Sequence, residues 1–239
     1  MERLDKIIAN LGYGTRKEVK QMARKGMIEV DGEIVKDSSL NIDPEKSVIK
    51  INGEEIFYRK YIYLLMNKPA GVISATYDNR DETVIDLLEP DHQVFEPFPV
   101  GRLDKDTVGL LFLTNDGELN HRLISPKHHV DKVYFAKIDK EVNEDDIEKF
   151  KNGITLDDGY KCKEAKLEIL NILDDGTSEV NITIQEGKFH QVKRMFEAVG
   201  KSVIYLQRIS FGGIELDLDL EEGEYRELTD SEIALLKSY

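Results

Sequence analysis

The stretch GRLDKDTVGLLFLTNDG, from Gly101 to Gly117, joins a charged loop to a strongly apolar run. The run Val108–Leu113 predicts a buried β-strand, and the Asn-Asp-Gly that follows predicts the turn that ends it. Asp104 lies in the loop just before this strand, flanked by Arg102 and Lys105. A loop that enters a buried strand is held at the rim of a sheet, where functional groups are often presented. Asp104 is therefore a candidate functional residue, with a solvated surface loop as the alternative interpretation.

The composition is that of an ordinary globular protein. The chain has 239 residues, of which 40% are hydrophobic and 33% are charged, enough for one large domain or for a small and a larger one. No apolar run approaches the roughly 20 residues that span a bilayer, and the N-terminal segment lacks the apolar core of a signal peptide. The single cysteine, Cys162, excludes an internal disulfide framework. We therefore expect a cytoplasmic protein that does not bind a membrane.

Charge is distributed unevenly along the chain. The formal net charge is −14, but residues 1–25 contain seven Lys or Arg and three acidic residues, so they carry +4 and the remainder carries −18. Local charge decides nucleic-acid binding more than the total does. A basic N-terminal region on an acidic chain is therefore compatible with docking on RNA.

The N-terminal region predicts two short helices. The first is amphipathic, with apolar residues at helical spacing: Leu4, Ile7, Ile8 and Leu11. Thr15 and Glu18 form a capping box that begins the second helix, and Gly26 ends it. One side of the second helix is basic, and we call its residues the basic face: Arg16, Lys17, Lys20 and Arg24. Together with Arg3, the basic face is the candidate RNA contact of this region, although a solvated helix surface is the alternative.

Two hairpins are predicted after these helices. Asp31-Gly32 and Asn52-Gly53 each separate two β-prone segments and accept the positive φ angles of a tight turn. The order of two helices and a small hairpin sheet, together with the segment RLDKIIANLGYGTRKEVKQMARKGMIEVDGEIV, resembles the S-four type (S4) RNA-binding module. The resemblance implies that the basic face contacts backbone phosphates, which provide affinity rather than base choice.

The rest of the chain predicts an α+β fold, in which a mixed, mostly antiparallel β-sheet is flanked by helices. The predicted strands are Tyr61–Met66, Val108–Leu113, Lys132–Ile138, Leu167–Ile172 and Val180–Ile184. The predicted helices are Thr83–Leu88, Glu118–Ile124, Glu144–Asn152, His190–Val199 and Thr229–Lys237. We place the small RNA-binding domain at residues 1–59 and the larger domain at residues 60–239. No glycine-rich loop follows a strand as nucleotide cofactors require, so no organic cofactor is expected.

Several segments resemble one enzyme family in chain order. Besides GRLDKDTVGLLFLTNDG they are YLLMNKPAGVIS, SPKHHVDKVYFAKI, IQEGKFHQVKRMFEAVG and LEEGEYRELT. They are similar to the RsuA type of ribosomal pseudouridine synthases over essentially the full length. The resemblance implies that Asp104 is the catalytic nucleophile and that Tyr134 stacks on a flipped base. It also implies that a cation keeps Asp104 ionised, either Lys193 or the adjacent Arg194.

Other residues complete this prediction. The resemblance implies that Arg102 fills the gap left by the flipped nucleotide, since extruding a base costs a few kcal/mol. His128 and His129 invite a metal hypothesis, but adjacent residues of a strand point to opposite faces and no Cys cluster supplements them. We therefore predict no metal site.

The predicted substrate is ribosomal RNA. The segments SPKHHVDKVY and GKFHQVKRMFEAVG favour the 16S enzyme of the small subunit, and a 23S-specific enzyme is the alternative. A non-catalytic ribosome-assembly factor would lack the set Asp104, Tyr134 and Lys193, and a methyltransferase would need a glycine-rich cofactor loop. Naked RNA and a pre-ribosomal particle both stay open as the form of the substrate. A monomer is the default expectation.

Overall fold

The computed structural model describes residues 1–239 and divides them into two compact units. The N-terminal unit comprises residues 1–62 together with 88–96, and the C-terminal unit comprises 63–87 and 97–239. The N-terminal unit thus includes a short segment, residues 88–96, that is distant from the rest of the unit in sequence. The domain boundary between residues 59 and 60 stays a prediction.

The secondary structure consists of seven helices and fifteen strands. The helices are α1 (Leu4–Asn10), α2 (Arg16–Arg24), α3 (Pro90–Gln93), α4 (Gly117–Ile124), α5 (Glu144–Lys151), α6 (Gln191–Ala198) and α7 (Asp230–Lys237). The strands are β1 (Glu2–Arg3), β2 (Ile28–Val30), β3 (Glu33–Ile34), β4 (Asn41–Ile42), β5 (Ile49–Ile51), β6 (Glu54–Ile56), β7 (Tyr63–Lys68), β8 (Phe98–Pro99), β9 (Val108–Thr114), β10 (Lys132–Ile138), β11 (Lys166–Ile172), β12 (Ser178–Ile184), β13 (Val203–Phe211), β14 (Ile214–Glu215) and β15 (Tyr225–Glu227).

The N-terminal unit combines α1 and α2 with an antiparallel sheet of order β3-β2-β5-β6. Its buried core contains the apolar side of α1, with Val19 and Ala23 of α2 and the inward residues of the strands. The capping box at Thr15 and Glu18 is present as predicted. Both predicted turns are present too, and Asp31-Gly32 has φ angles of 52° and 86°. Local sequence signals were sufficient here because each acts within a few residues.

The C-terminal unit is built on a nine-stranded sheet of order β11-β12-β10-β13-β9-β7-β15, with β14 paired to β13 and β8 paired to β9. All pairs are antiparallel except β9 with β13. The predicted mixed, mostly antiparallel sheet with helices is confirmed. Strands β7 and β9 are buried along their whole length, whereas β10 and β12 alternate between buried and less buried residues. The first pair is therefore covered on both faces and the second mainly on one.

The register across the centre of the sheet positions the loop of Asp104. Gly109 at the start of β9 lies beside Arg208 of β13, and Arg208 lies beside Tyr134 of β10. Three neighbouring strands therefore place these residues in one row. The loop that precedes β9 is consequently near the Tyr134 end of β10, although 30 residues separate Asp104 from Tyr134 in the chain.

Two sequence predictions were wrong or incomplete. The predicted helix Thr83–Leu88 is instead a bridge and a turn, in which the side chains of Thr83 and Asp86 hydrogen bond to each other. Thr83 pairs with Ile73 in an isolated β-bridge, and this pairing replaces the helix. The nine-residue strand β13 was not among the predicted strands, although it joins the two halves of the sheet. None of the helices is long and apolar enough to cross a membrane.

Candidate active site

Asp104 lies at a surface cleft of the C-terminal unit. The cleft is lined by Arg102, Leu103, Asp104, Thr107, Tyr134, Ile184, Gly187, Lys188, His190, Gln191, Val192 and Leu206. These residues come from the loop before β9, from β10, β12 and β13, and from the start of α6. The cleft therefore collects four parts of the chain, residues 102–107, Tyr134, residues 184–192 and Leu206. The side chain of Asp104 is 26% exposed there.

Lys193 of α6 bridges two carboxylates of the loop. Its Nζ is 3.1 Å from Oδ2 of Asp104 and 2.6 Å from Oδ1 of Asp106. Burial lowers the pKa of Lys193, but the hydrogen bonds to Asp106 and Asp104 outweigh burial and raise that pKa above its ordinary value. The ammonium likewise lowers the pKa of Asp106. Lys193 is therefore a cation that contacts Asp104 at neutral pH.

A buried lysine holds the loop of Asp104 from beneath. Lys68, at the end of β7, has no exposed surface. Its ammonium donates to the carbonyl oxygens of Pro69 and Thr107 at 2.9 Å and of Lys105 at 3.5 Å. Burial lowers the pKa of Lys68 to about 8. The amide of Thr107 also donates to the carbonyl of Asp104, so the backbone around the carboxylate is held at both ends.

Tyr134 faces the cleft from a buried position, with 7% of its surface exposed. Its strand neighbour Arg208 is 1% exposed, and the Nε of Arg208 donates to the carbonyl of Leu110 at 2.7 Å. The guanidinium carbon lies 6.0 Å from the centre of the Tyr134 ring and 4.8 Å from that of Phe211. Tyr134 therefore rests against a buried cation, which limits the positions of its ring.

The loop between β12 and α6 brings His190 to Asp104. Nε2 of His190 is 3.5 Å from Oδ1 of Asp104, and the backbone of His190 is left-handed, with φ of 48°. Below the loop, the buried carboxylate of Glu186 accepts hydrogen bonds from Tyr160 at 2.6 Å and from the side chain of Gln191 at 3.0 Å. A non-glycine residue such as His190 persists in the left-handed conformation only where its surroundings hold it, and such positions cluster at functional sites.

Arg194 and Arg102 occupy different places. The guanidinium of Arg194 forms ion pairs with Asp157 and Asp158, so Lys193 rather than Arg194 is the cation beside Asp104. Arg102 is exposed and lines the cleft. Contacts of Arg194 and Arg102 with RNA stay predictions.

In the N-terminal unit, one buried carboxylate holds two of the predicted RNA-contacting arginines. Asp5 accepts hydrogen bonds from Nε and Nη2 of Arg3 at 3.1 and 2.8 Å, and from Nη2 of Arg16 at 2.9 Å. Hydrogen bonding from Arg3, and then from Arg16, lowers the pKa of Asp5. The other residues of the basic face are exposed, namely Lys17, Lys20 and Arg24.

The remaining candidates lie outside the cleft. His128 and His129 precede β10 rather than belonging to a strand, and Nδ1 of His129 is 3.1 Å from Oε1 of Gln185. Cys162 is a buried free cysteine, and burial raises the pKa of its thiol.

Sequence reasoning did not assign a role to Asp106, Lys68 or Arg208. Asp106 lies within the same motif as Asp104, and Lys68 lies within the quoted segment YLLMNKPAGVIS, so both were available as signals. Arg208 lies in the strand that was not predicted. Its position beneath Tyr134 depends on strand pairing, which no local pattern indicates.

Comparison with known proteins identifies both parts of the chain. Residues 62–198 match the family described as RNA pseudouridylate synthase, and residues 2–48 match the S4 domain. An uncharacterized RNA pseudouridine synthase of Bacillus subtilis is 51% identical over 234 residues, which cover 98% of each chain. Ribosomal small subunit pseudouridine synthase A of Escherichia coli is 39% identical over 233 residues, which cover 97% of this chain and 98% of that protein.

Two further relatives bear on substrate and fold. Ribosomal large subunit pseudouridine synthase B of Bacillus subtilis is 37% identical over 240 residues, which cover 100% of this chain and 96% of that protein. A crystal structure described as a pseudouridylate synthase is 39% identical and has a TM-score of 0.67. The match covers 99% of this chain and 100% of that one.

Proposed function

We propose, from the premise that this chain belongs to the RNA pseudouridylate synthase family, that it isomerises a uridine of 16S ribosomal RNA with Asp104 as the nucleophile. The chain is an RNA pseudouridine synthase with an S4 RNA-binding domain. What we propose beyond the family is the identity of the target RNA and of the catalytic residue. The observation that carries it is the carboxylate of Asp104 in the cleft, 3.1 Å from the Lys193 ammonium.

The reaction requires that the bond between C1′ and N1 of the uridine breaks, that the base turns, and that C1′ bonds to C5. A proton leaves C5 and one is gained at N1, so the product is an isomer and no redox cofactor takes part. A carboxylate that attacks the nucleoside divides this rearrangement into easier steps. The ammonium of Lys193, 3.1 Å from Oδ2 of Asp104, sets a positive charge beside that carboxylate.

Tyr134 and Arg102 supply the contacts to the nucleotide in this proposal. Tyr134 lines the cleft and offers an aromatic face to the extruded base, and stacking of this kind contributes about 1–3 kcal/mol. In this proposal the phenol of Tyr134 also assists removal of the C5 proton. Arg102, exposed at the same cleft, fills the space that the base leaves in the RNA.

The assignment to 16S RNA rests on the segments around Lys132 and Lys193 and on the similarity to the small subunit enzyme of Escherichia coli. The relative that acts on the large subunit is nearly as similar, at 37% identity against 39%. A uridine of 23S RNA is therefore the second candidate substrate. The form of the substrate, naked RNA or a pre-ribosomal particle, is tested by assaying the purified protein on each.

Two measurements test the proposal. Reverse-transcription mapping of carbodiimide-labelled RNA, from cells with and without the protein, identifies the modified uridine, and we expect it in 16S RNA. A protein-dependent signal that occurs only in 23S RNA would transfer the assignment to the large subunit.

The second measurement tests Asp104. We expect Asp104→Asn to abolish isomerisation while RNA affinity stays within about tenfold, because phosphate contacts dominate binding. The control is Asp175→Asn, which removes an exposed carboxylate in the turn between β11 and β12. Turnover of Asp104→Asn near the wild-type rate would remove this residue from the mechanism.

A further inference from the structure

An exposed aromatic ring lies beside the cleft without belonging to its lining. Phe189 is 72% exposed, and its ring stacks on the imidazole of His190 with 3.7 Å between ring centres and 18° between planes. His190 in turn is 3.5 Å from Asp104. One face of the Phe189 ring is therefore occupied by a residue of the candidate active site, and the high exposure leaves the rest of the ring to solvent.

The backbone on both sides of Phe189 is held in place. The amide of Lys188 donates to Oε1 of Gln191 at 2.9 Å, and the carbonyl of Phe189 accepts from Nη1 of Arg194 at 3.4 Å. Arg194 is itself held by two aspartates, and Gln191 by Glu186. An exposed ring on a braced loop is preorganised, so little conformational entropy is lost when a ligand stacks on it.

The chemistry of the surroundings indicates which ligand fits. An exposed aromatic ring suits a single-stranded nucleic acid, whose bases stack on it, and the residue before Phe189 in the chain is the cation Lys188, which lines the cleft. The extruded uridine enters the cleft, which Lys188 and His190 line and Phe189 does not. The base that meets Phe189 is therefore a neighbour of the target.

We propose that Phe189 is a stacking platform for the nucleobase next to the target uridine, an inference that rests on the proposed function. It gives the loop between β12 and α6, which positions His190 near Asp104, a second role. This platform would contribute to the choice of the target, because a nucleotide whose neighbour is paired and stacked inside a helix cannot use it.

The absence of tryptophan from the chain makes the platform directly observable. Phe189→Trp introduces a sole indole, and we combine it with Asp104→Asn so that no turnover occurs. The probe is a synthetic RNA of about 25 nucleotides around the mapped uridine, in which each neighbour of that uridine is replaced in turn by an abasic sugar. The control is Ile172→Trp in the same background, since Ile172 is also exposed, at 52%, but lies on the edge strand β11.

We expect the RNA to quench the indole at position 189 and one abasic replacement to restore its emission, while the indole at position 172 responds to neither. In binding assays, Phe189→Ala and that same abasic replacement should each weaken affinity about 5- to 150-fold, and together no more than either alone. Equal quenching of the indole by all abasic probes would overturn the platform. So would affinity losses from Phe189→Ala and from the abasic replacement that multiply at every position, because the two changes would then act independently.

Activity separates this inference from the proposed function. If the wild-type chain isomerises the mapped uridine but no neighbour couples to Phe189, the platform is wrong and the proposed function stands. If the wild-type chain leaves every uridine of the probe unchanged while quenching depends on one base, the proposed function is wrong for this RNA, and Phe189 stacks on a base that is not beside a target uridine.

Discussion

Replacing Gly109 by alanine should weaken the contact between the two halves of the central sheet. Gly109 has φ of 98° and lies against the backbone of β13, at the parallel pair between β9 and β13. A Cβ atom at this position would overlap the carbonyl oxygen of Arg208 and lie 2.9 Å from both the Arg208 amide nitrogen and Cγ of Gln207. Two of these three atoms belong to backbone, so they cannot move aside without moving the strand.

Two costs add at Gly109. A positive φ costs an alanine about 1–2 kcal/mol, and overpacking in a filled interior costs about 1–3 kcal/mol more. We therefore expect Gly109→Ala to lower the free energy of unfolding by about 2–5 kcal/mol, a large part of the roughly 5–15 kcal/mol that is typical of natural proteins. The control is Gly176→Ala, because Gly176 has φ of 82° and a Cβ atom added there would meet no other atom within 4 Å, so only the first cost applies.

Urea unfolding followed by far-ultraviolet circular dichroism measures both variants. Gly109→Ala should lose about 1–3 kcal/mol more than Gly176→Ala, and the surviving folded protein should isomerise uridine much more slowly. The activity falls because the row from Gly109 through Arg208 to Tyr134 places the Asp104 loop, and a displacement of about 1 Å can cost about 100-fold in rate. Equal destabilisation of the two variants, with activity retained by both, would refute the proposed role of this close approach.

Three other experiments test the electrostatics of the two units. Asp5→Asn removes a negative charge from the N-terminal unit, yet it should weaken RNA binding on the order of tenfold, because Arg3 and Arg16 lose the carboxylate that holds them. The control Asp37→Asn removes the same charge at an exposed site and should not weaken RNA binding. The pair Lys20→Ala and Arg24→Ala should weaken RNA binding and reduce its salt dependence, and an unchanged salt slope would contradict docking by the basic face. Burial lowers the pKa of Lys68, and likewise that of Lys132, from the ordinary 10.5 to about 8, so the unfolded chain binds these protons more tightly and wild-type stability should rise between pH 8 and 10.5. In unfolding experiments across that range, Lys68→Met should show a smaller rise than the wild type, because only the contribution of Lys132 is left.

Local sequence signals determined most of the secondary structure. The capping box at Thr15 also has a counterpart at Thr229, where the predicted helix α7 begins, and both are present. Apolar runs bounded by turn residues located β7 and β9, which are buried throughout. Such signals act between residues a few positions apart, so they can be read from the chain alone. The order of the quoted motifs, for its part, was sufficient to recognise the enzyme family.

Tertiary structure decided how the candidate site is assembled. The sequence left Lys193 and Arg194 as alternatives, and helix α6 directs the first towards Asp104 and the second towards two aspartates. Strand β13 brings Arg208 between Gly109 and Tyr134, because a strand's partners are chosen by long-range pairing and burial rather than by its neighbours in sequence. The carboxylate, the cation and the phenol become one site only when that sheet forms.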